Sequence, residues 1–470
     1  MNIYIPIEVK ARELEGKTLL ALAAAERGHT VILGDKSSTR SLAAKGVLPP
    51  GILHNKSLTP SEKAIKLLDN LKKHGHVITC QDEESGLIDE SYEPFARLRF
   101  SEESIQKTDR VFGWGRHDTN ALKKLFPELA DKFTATGSPR VDFWRDDLHA
   151  YYDSGPVSEK AKSLKPFILI SSNFSAFLNQ NRFFDVIARL RDANYFDRTP
   201  EWEQHQYDNY AYQSRLIFEF IKLIRRLSAQ YPSINILVRP HPVETVSGWK
   251  KALGTFPNVH VIREGAIGNW LNECALLVHN GCTTAIEAAA FGKPRIAFRP
   301  LPNPIERDIP NKISYQVFGI EECIDFVSKI LNKKNIQIKE DIQQSQKEIL
   351  GMRFTNLEGT LAAERIVDVW EEIGVDLQNS HAHPKDIYLL KNGIKSVLKQ
   401  QIQKYKKVLK PNIRNNRKLL KSDHKFAELT EYQIGSLIEN IQSSTGKFKN
   451  VDRKKFGEKS YLLFNKNVNY

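Results

Sequence analysis

Residues 276–298 read LLVHNGCTTAIEAAAFGKPRIAF, and this stretch decides how the chain is expected to fold. Leu276 to Val278 is a short apolar strand, and Gly281 permits a sharp turn or a close backbone approach after it. A glycine and a proline behind the alanine-rich helix lead into a second strand at residues 296–298. The stretch therefore predicts one strand–turn–helix–strand unit of an α/β sheet.

The turn of this unit has the features of a phosphate site. Thr283 or Thr284 can cap the helix, and Glu287 lies about one turn further in. Unpaired backbone N–H groups and the positive end of a helix then meet at the carboxyl edge of the sheet, where phosphates bind. Glu287 would face the same crevice and accept hydrogen bonds from a ribose. An ordinary β–turn–α unit with a capping box explains the segment equally well.

The same alternation of strands and helices runs outward through most of the chain. Predicted strands lie at residues 3–7, 30–33, 76–79, 110–114, 133–136, 167–171, 235–239 and 259–262. Predicted helices lie at residues 14–27, 60–73, 118–126 and 215–230. Short turns between such elements predict parallel, doubly wound sheets, hence an α/β fold with two Rossmann-like domains.

Breaks in this pattern predict the domain boundaries. Residues 1–150 form the first domain, and a linker at about 145–165 separates it from the second domain at 160–335. Crossover helices at 336–375 pack back across the first domain, and a helical basic tail follows at 376–470. A polar insert at 194–212 is predicted to be a surface loop. We expect the functional site in the cleft between the two domains.

Composition limits the class of protein. Hydrophobic residues make up 41% and charged residues 27% of the 470 residues, as in a soluble globular protein. No run approaches about 18 apolar residues, so a membrane-spanning helix is not expected. The first residues lack the basic and apolar regions of a secretory signal. The four cysteines have no metal-ligand spacing, which favours a reducing cytoplasm.

Most of the net charge of +13 lies in the last hundred residues, which hold 20 Lys and Arg against 10 Asp and Glu. Residues 385–425 combine these cations with apolar residues at spacings of three and four, which predicts a basic amphipathic helix. Such a helix suits an anionic membrane surface. A helix packed on its own domain is the alternative. Nucleic-acid binding is not expected, because the segment lacks a stacking pattern or a recognition motif.

Two further motifs carry chemistry. Asp82, Glu83 and Glu84 follow an apolar strand, and mutual repulsion raises at least one pKa, which suits a base or a nucleophile. Acids that favour a helix N-terminus through its dipole are the alternative.

In the segment Arg239-Pro240-His241-Pro242-Val243-Glu244, two prolines fix the backbone around His241 beside a cation. That arrangement suits a phosphate or a leaving group, although a histidine in a rigid turn would look the same.

Taken together and in order, five motifs over residues 1–370 resemble one family. They are His76-Val77-Ile78 through Glu84-Ser85-Gly86-Leu87, Phe112-Gly113-Trp114-Gly115, Thr136-Gly137-Ser138-Pro139-Arg140-Val141-Asp142, Arg239-Pro240-His241-Pro242-Val243-Glu244, and His279-Asn280-Gly281-Cys282-Thr283-Thr284. The chain looks like the bacterial surface carbohydrate biosynthesis proteins, which are similar to GT-B glycosyltransferases. It also resembles the retaining Kdo transferases of capsule and O-antigen synthesis and, more distantly, the CDP-glycerol glycerophosphotransferases.

The resemblance implies a metal-independent glycosyltransferase without a cofactor, which uses a nucleotide-sugar, CMP-linked or other, as co-substrate. The second domain would bind this donor, and the first would bind a lipid-linked or oligosaccharide acceptor of capsule or lipopolysaccharide. The implied donor-binding residues are Arg140, Arg239, Glu244, Asn280, Gly281, Thr283, Thr284 and Glu287. The implied catalytic residues are Glu84, Glu83 and His241. Ser85 departs from the family's acidic motif, so either glutamate could be the catalytic acid.

The cysteine content and the basic segment set the expected location, and two alternative functions remain open. The chain would work in the cytoplasm, held peripherally at the inner face of the cytoplasmic membrane. A sugar-nucleotide epimerase of the hydrolysing UDP-sugar 2-epimerase type shares this fold and a comparable phosphate turn. A non-catalytic scaffold of a polysaccharide assembly complex is the third class. Turnover of a nucleotide-sugar would separate the scaffold from both enzymes.

Overall fold

Two β-sheets organise the chain in a computed structural model that describes residues 1–88, 92–179, 183–192, 200–332, 340–380, 426, 428–457 and 459–468. Each sheet belongs to one of two units. The first unit comprises Met1–Tyr151 and Met352–Tyr470, and the second comprises Tyr152–Gly351. The predicted boundary at 150 lies beside the first of these breaks.

The elements of the described residues alternate as the sequence predicts. The strands are β1 (Asn2–Ile7), β2 (Thr30–Asp35), β3 (Ile52–Asn55), β4 (Val77–Gln81), β5 (Arg110–Gly113), β6 (Phe133–Ala135), β7 (Phe167–Ser171), β8 (Asn235–Arg239), β9 (Val259–Val261), β10 (Leu276–His279), β11 (Arg295–Phe298), β12 (Tyr315–Val317), β13 (Val451–Gly457) and β14 (Ser460–Asn465).

The helices connect the strands and cover the sheets. They are α1 (Lys10–Glu26), α2 (Lys36–Ala44), α3 (Glu62–Lys73), α4 (Tyr92–Arg99), α5 (Glu102–Gln106), α6 (Arg116–Leu125), α7 (Pro139–Asp142), α8 (Pro156–Ser163), α9 (Phe183–Asp192), α10 (Pro200–Gln230), α11 (Val246–Leu253), α12 (Ile267–Glu273), α13 (Thr284–Ala290), α14 (Asp308–Lys312), α15 (Ile320–Leu331), α16 (Glu340–Arg353), α17 (Ala362–Ile373) and α18 (Glu431–Thr445). Short 3₁₀ helices lie at Ser85–Leu87, Pro127–Lys132, Asp146–Asp153 and Val375–Ser380.

The sheet of the first unit has the order β13-β14-β2-β1-β3-β4-β5-β6. From β2 to β6 all neighbours are parallel. The chain leaves β1 for β2 on one side and returns to β3 on the other, so the topological switch point lies between β1 and β3. The residues of β1 are buried, as expected for a central strand with helices on both faces.

The sheet of the second unit has the order β12-β11-β10-β7-β8-β9, with every pair parallel. In chain order this is 6-5-4-1-2-3, the arrangement of dinucleotide-binding folds, with its switch point between β7 and β10. Apolar residues of α10 and α15 cover one face of the sheet. The predicted fold class, two Rossmann-like doubly wound domains of the GT-B kind, is confirmed.

The end of the chain differs from the predicted helical tail. Residues 431–445 are helical, but β13 and β14 form a hairpin, and β14 pairs antiparallel with β2. Tyr461 and Leu462 are buried there, so the edge strand β2 gains both hydrogen bonds and apolar cover. The predicted basic amphipathic helix at 385–425 lies outside the described residues.

Two predicted loops are also wrong in part. The predicted linker at 145–165 contains a 3₁₀ helix and α8. The described part of the predicted insert at 194–212 belongs to α10, which is 31 residues long. Tyr210 packs on Phe177 and Phe183 with ring centroids 5.6 and 4.3 Å apart, so aromatic packing stabilises the helix there. No helix of the described residues is both long enough and apolar enough to cross a membrane.

Candidate functional site

The turn after β10 lies at the switch point of the second sheet. His279, the last residue of β10, pairs in register with Ser171, the last residue of β7. In open α/β sheets a ligand binds outside the carboxyl ends of the two strands at this point. The stretch that the sequence analysis singled out therefore occupies the position where this topology favours a ligand.

A buried histidine holds the turn in shape. The Nδ1 atom of His279 accepts a hydrogen bond from the Gly281 N–H at 3.1 Å, and its Nε2 atom lies 2.9 Å from the Ser314 hydroxyl. The Nδ1 atom accepts, so the neutral ring carries its proton on Nε2. Burial lowers the pKa of His279 to about 3, helped by the charge of Arg295. Gly281 has φ of +75°, a conformation that favours glycine.

Three adjacent backbone N–H groups point away from the protein's own acceptors. Among the residues that the structure describes, the N–H groups of Cys282, Thr283 and Thr284 have no hydrogen-bond partner. Successive N–H groups of this kind form a concave site that suits phosphate oxygens. The predicted threonine cap is wrong, because Thr283 makes no capping hydrogen bond with its side chain. The Thr284 hydroxyl instead accepts from Ser171 Oγ at 3.0 Å.

Asn280 joins this turn to the loop after β7. Its amide nitrogen donates to the backbone carbonyl of Asn173 at 3.1 Å. Its amide oxygen Oδ1 is buried and has no donor within the described structure. An unpaired buried acceptor costs about 1–3 kcal/mol, so a ligand that donates a hydrogen bond there would gain free energy.

Arg239 and Glu287 lie close enough to influence each other's charge. The guanidinium of Arg239 donates to the backbone carbonyls of Glu264 and Gly265, at 2.7 and 2.5 Å. Burial lowers the pKa of Arg239 to about 10, Glu287 opposes this shift, and Arg263 adds to it. The arginine remains a cation at neutral pH. A contact of either residue with a donor phosphate or ribose stays a prediction.

Glu244 has a structural task in this region. It is fully buried and accepts hydrogen bonds from Ser172 Oγ, Phe174 N and Trp249 Nε1, at 2.6, 2.7 and 2.8 Å. Glu244 therefore connects the loop after β7 with the loop after β8. Its predicted contact with the donor sugar stays a prediction.

The Arg-Pro-His turn is held by the same serine. Ser172 Oγ accepts from the backbone N–H of His241 at 3.3 Å, while Nδ1 of the His241 ring accepts from Val243 N at 3.4 Å. The His241 side chain is half-buried. The residues that sequence reasoning missed here are Ser171, Ser172 and Asn173. Their signal was a polar run directly after the apolar strand at residues 167–170.

The three acids of the first unit have different environments. Asp82 is buried and accepts a hydrogen bond from Glu84 N at 2.9 Å, and burial raises its pKa to about 6 although Arg99 opposes the shift. Glu83 lies 3.3 Å from Lys17 Nζ. Burial raises the pKa of Glu83, although the charge of Lys17 opposes that shift. The pKa of both residues is raised, as predicted for at least one of the three acids, but burial and not mutual repulsion is the main cause.

Glu84 differs from its two neighbours. Its side chain is 38% exposed and pairs with Arg12 and with Arg99, the latter at 3.2 Å. Burial alone would raise the pKa of Glu84, but the two arginines outweigh it, so the pKa lies below its usual value. Glu84 is thus a carboxylate at neutral pH. Of the three acids it has the most accessible side chain.

A network of buried hydrogen bonds fixes the loop that carries Glu84. Ser85 Oγ donates to Asp118 Oδ2 at 2.7 Å and lies 2.6 Å from the Tyr92 hydroxyl. Asp118 also accepts from the backbone N–H groups of Trp114 and Gly115, at 2.9 and 3.0 Å. Ser85, which departs from the family pattern, therefore anchors the loop beside Glu84.

Arg140 belongs to the first unit, whereas the other predicted donor-binding residues belong to the second unit. Its guanidinium lies 5.6 Å from the ring centroid of Trp144. Within the described ranges, no group of three His, Cys, Asp or Glu residues could hold a metal ion.

No family model matches this sequence, and no curated protein matches it. Solved structures resemble the chain in fold. The MnaA–UDP structure from S. aureus is 14% identical with a TM-score of 0.46, over 81% of this chain and 98% of that chain. The UDP-GlcNAc 2-epimerase from Methanocaldococcus jannaschii is 12% identical with a TM-score of 0.48, over 79% and 100%.

The wall teichoic acid polymerase TagF, in a structure with CDPG, is 13% identical with a TM-score of 0.38, over 71% of this chain and 73% of that chain. At sequence identities this low, a structural similarity is informative about the fold alone. With TM-scores below 0.5, these similarities carry no inference about the substrate or the reaction of this chain.

Proposed function

We propose that this chain is a glycosyltransferase that moves a sugar from a nucleotide-activated donor to an acceptor in bacterial surface polysaccharide synthesis. The observation that supports the proposal is the row of three unpaired N–H groups at residues 282–284, at the switch point of a dinucleotide-type sheet. Capsule or O-antigen precursors, lipid-linked or free, are the proposed acceptors. The segment 385–425, which lies outside the described residues, is proposed to hold the enzyme at the anionic inner face of the membrane.

The phosphate or diphosphate of the donor would accept hydrogen bonds from the backbone N–H groups of Cys282, Thr283 and Thr284. Charge-assisted hydrogen bonds of backbone N–H groups to phosphate are short and strong, and this turn needs no rearrangement to make them. Asn280 Oδ1, which has no partner among the described residues, would accept a hydrogen bond from the donor's hydroxyl or base. Arg239 would add positive charge beside Glu287, the proposed ribose acceptor.

Glu84 is the proposed catalytic acid residue. Because two arginines keep its pKa low, the ionised carboxylate suits a nucleophile or a stabiliser of positive charge at the anomeric carbon. A group with a low pKa is a poor general base at neutral pH. Arg12 and Arg99 would then orient the carboxylate and restrain it.

Binding of a nucleotide is the first expected result. The melting temperature of the purified chain is measured with CMP, CDP, UDP, GDP and their sugar conjugates. A ligand that binds only the folded protein at a hundred times its Kd adds about 2.7 kcal/mol to the free energy of unfolding. A selective rise with one nucleotide supports the proposal and names the donor class. No rise with any nucleotide would contradict it.

Glu84→Gln is expected to abolish sugar transfer and leave nucleotide binding intact. The substitution removes the negative charge and keeps the size of the side chain. Glu93→Gln is the matched control, because Glu93 is an exposed acid of the same unit that pairs with Arg97 at 2.7 Å. Release of free nucleotide from the donor is measured with both variants. Undiminished turnover by Glu84→Gln would remove Glu84 from the reaction.

A hydrolysing sugar-nucleotide epimerase is the second candidate. The observation that favours it is Asp82, whose pKa of about 6 suits proton transfer near neutral pH. Incubation of the chain with UDP-linked N-acetylhexosamine and no acceptor separates the two candidates. Formation of the C2 epimer with release of UDP would favour the epimerase. A requirement for an acceptor sugar would favour the transferase.

A further inference from the structure

A buried amide in the first unit has no hydrogen-bond partner among the described residues. Asn55 is the last residue of β3, is 1% exposed, and neither its amide nitrogen nor its amide oxygen makes a hydrogen bond with any described residue. Buried polar side chains in folded proteins are nearly always paired. An amide with both ends unpaired can take a partner that carries both a donor and an acceptor, such as a hydroxyl group or a water molecule.

Asn55 lies at the switch point of the first sheet, on the face that α2 covers. It pairs in register with Cys80 of β4. Cys80 and Leu53 pack in the apolar core together with Ala43 of α2. Side chains alternate along a strand, so Asn55 shares this face with Leu53, while His54 points to the opposite face. This is the edge of the sheet where α/β folds bind ligands.

Arg40 approaches the same place from α2. Ala43, one turn further along α2, accepts a hydrogen bond through its carbonyl from His76 Nε2 at 3.2 Å, beside the start of β4. Arg40 lies one turn before Ala43, toward the carboxyl ends of the strands, and the charges of Arg40 and Cys80 influence each other's pKa. Arg40 is half-buried and makes no hydrogen bond and no ion pair with any residue that the structure describes.

The charges around Arg40 favour an anion. Glu8 is bonded to Lys36 and Lys56, at 2.8 and 3.2 Å, so one carboxylate already serves two lysines. The charge of Glu8 also acts on Arg40. Lys56 shares Glu13 with Lys17 as well. The guanidinium of Arg40, with five N–H donors, therefore has no carboxylate of its own.

We propose that Arg40 and Asn55 form a site for a phosphate monoester of a sugar or polyol, with the phosphate on Arg40 and a hydroxyl on Asn55. The planar guanidinium matches two phosphate oxygens, and a hydroxyl supplies the one donor and one acceptor that the amide lacks. The site lies wholly within the first unit. It shares no residue with the turn at residues 280–284 and goes beyond the proposed function.

The test is calorimetric titration of the full chain with three probes, namely glucose 6-phosphate, inorganic phosphate and gluconate. Glucose 6-phosphate is expected to bind, and Arg40→Met to weaken its binding at least tenfold, as loss of a charge-assisted contact does. Asn55→Leu is expected to weaken binding of glucose 6-phosphate severalfold and leave the weaker binding of inorganic phosphate unchanged. The titration is repeated with Thr283→Pro to exclude binding at the turn of residues 280–284. This variant is expected to bind glucose 6-phosphate with the affinity of the wild type.

The melting temperature of the free protein shows whether the Asn55→Leu variant is correctly folded. Asn55→Leu replaces an unpaired buried amide by an apolar side chain of similar size, so the melting temperature of the free protein is expected to stay or to rise. A lower melting temperature would mean that Asn55 has a structural partner, which would overturn the proposal. Equal binding to wild type and Arg40→Met, tighter binding of gluconate than of glucose 6-phosphate, or no binding at millimolar concentration would overturn it too.

Discussion

Lys17→Met is expected to lower the free energy of unfolding of the first unit by about 3–5 kcal/mol, the usual cost of breaking a buried ion pair on one side. Lys17 is buried, and its ammonium group contacts Glu13, Glu83 and the carbonyl of Pro6 at 2.8, 3.3 and 2.7 Å. Methionine keeps the length of the side chain. The expected loss of stability therefore comes from the missing positive charge. Without it, the carboxylates of Glu13 and Glu83 lie close together where little water solvates them.

The unpaired charge of Glu13 is expected to cause most of this loss of stability. Burial alone would raise the pKa of Glu13, but Lys17 and Lys56 outweigh it and lower that pKa to about 2, so the carboxylate stays charged. Without Lys17, the backbone N–H groups of Glu8 and Val9 and the ammonium of Lys56 remain its partners. Glu83 would lose its ion pair altogether.

Urea unfolding of the full chain measures this effect, with hydrogen exchange of peptides from residues 1–151 and 152–351 assigning it to a unit. Lys36→Met is the matched control, since the side chains of Lys36 and Glu8 are 27% and 25% exposed, so water screens this pair more than that of Lys17 and a smaller loss is expected. Equal losses in the two variants would show that burial of Lys17 adds nothing to its ion pairs.

Thr283→Pro is expected to weaken binding of the nucleotide about 10- to 100-fold, equivalent to about 1.5–3 kcal/mol for one hydrogen bond to a charged group. Proline removes one backbone N–H from the row at residues 282–284 and also removes the hydroxyl of Thr283. The φ of Thr283 is −59°, close to the value that proline imposes. Its N–H has no acceptor in the described part of the chain, so no internal hydrogen bond is lost.

Thr283→Ala separates the backbone from the side chain. Alanine keeps the N–H and removes the hydroxyl, so this variant is expected to bind the nucleotide as the wild type does. Titration calorimetry with the nucleotide found by thermal shift compares the three proteins, and melting temperatures of the free proteins exclude misfolding. Wild-type affinity of Thr283→Pro would mean that this N–H does not contact phosphate.

Most strands of the described residues were predicted, whereas β3, β12, β13 and β14 were missed. Residues 167–171 and 276–279 read almost continuously apolar, as buried parallel strands do. β3 was missed because it ends in His54 and Asn55, polar residues that are nevertheless buried. β13 was missed because Arg453, Lys454 and Lys455 hide its alternation, and only its pairing with β14 reveals it.

Parts of the candidate site followed from the sequence in the same way. The turn at residues 280–284 was found because a glycine and small polar residues follow an apolar strand. The predicted threonine cap failed because the Thr284 hydroxyl meets Ser171, a residue more than a hundred positions away. The hydrogen bonds of Glu244 with Ser172, Phe174 and Trp249 were not predictable from the sequence, because two of these residues lie about seventy positions away.

The sequence by itself determined that this protein is built from two α/β sheets and that polar turns follow their strands. That information is local, because hydrophobic periodicity and turn residues act over a few positions. Only the tertiary structure decided which charged groups are paired, such as Lys17 with Glu83, and which polar groups are left without a partner, such as Asn55. Pairing and burial depend on residues brought together by packing, and local sequence carries no record of that proximity.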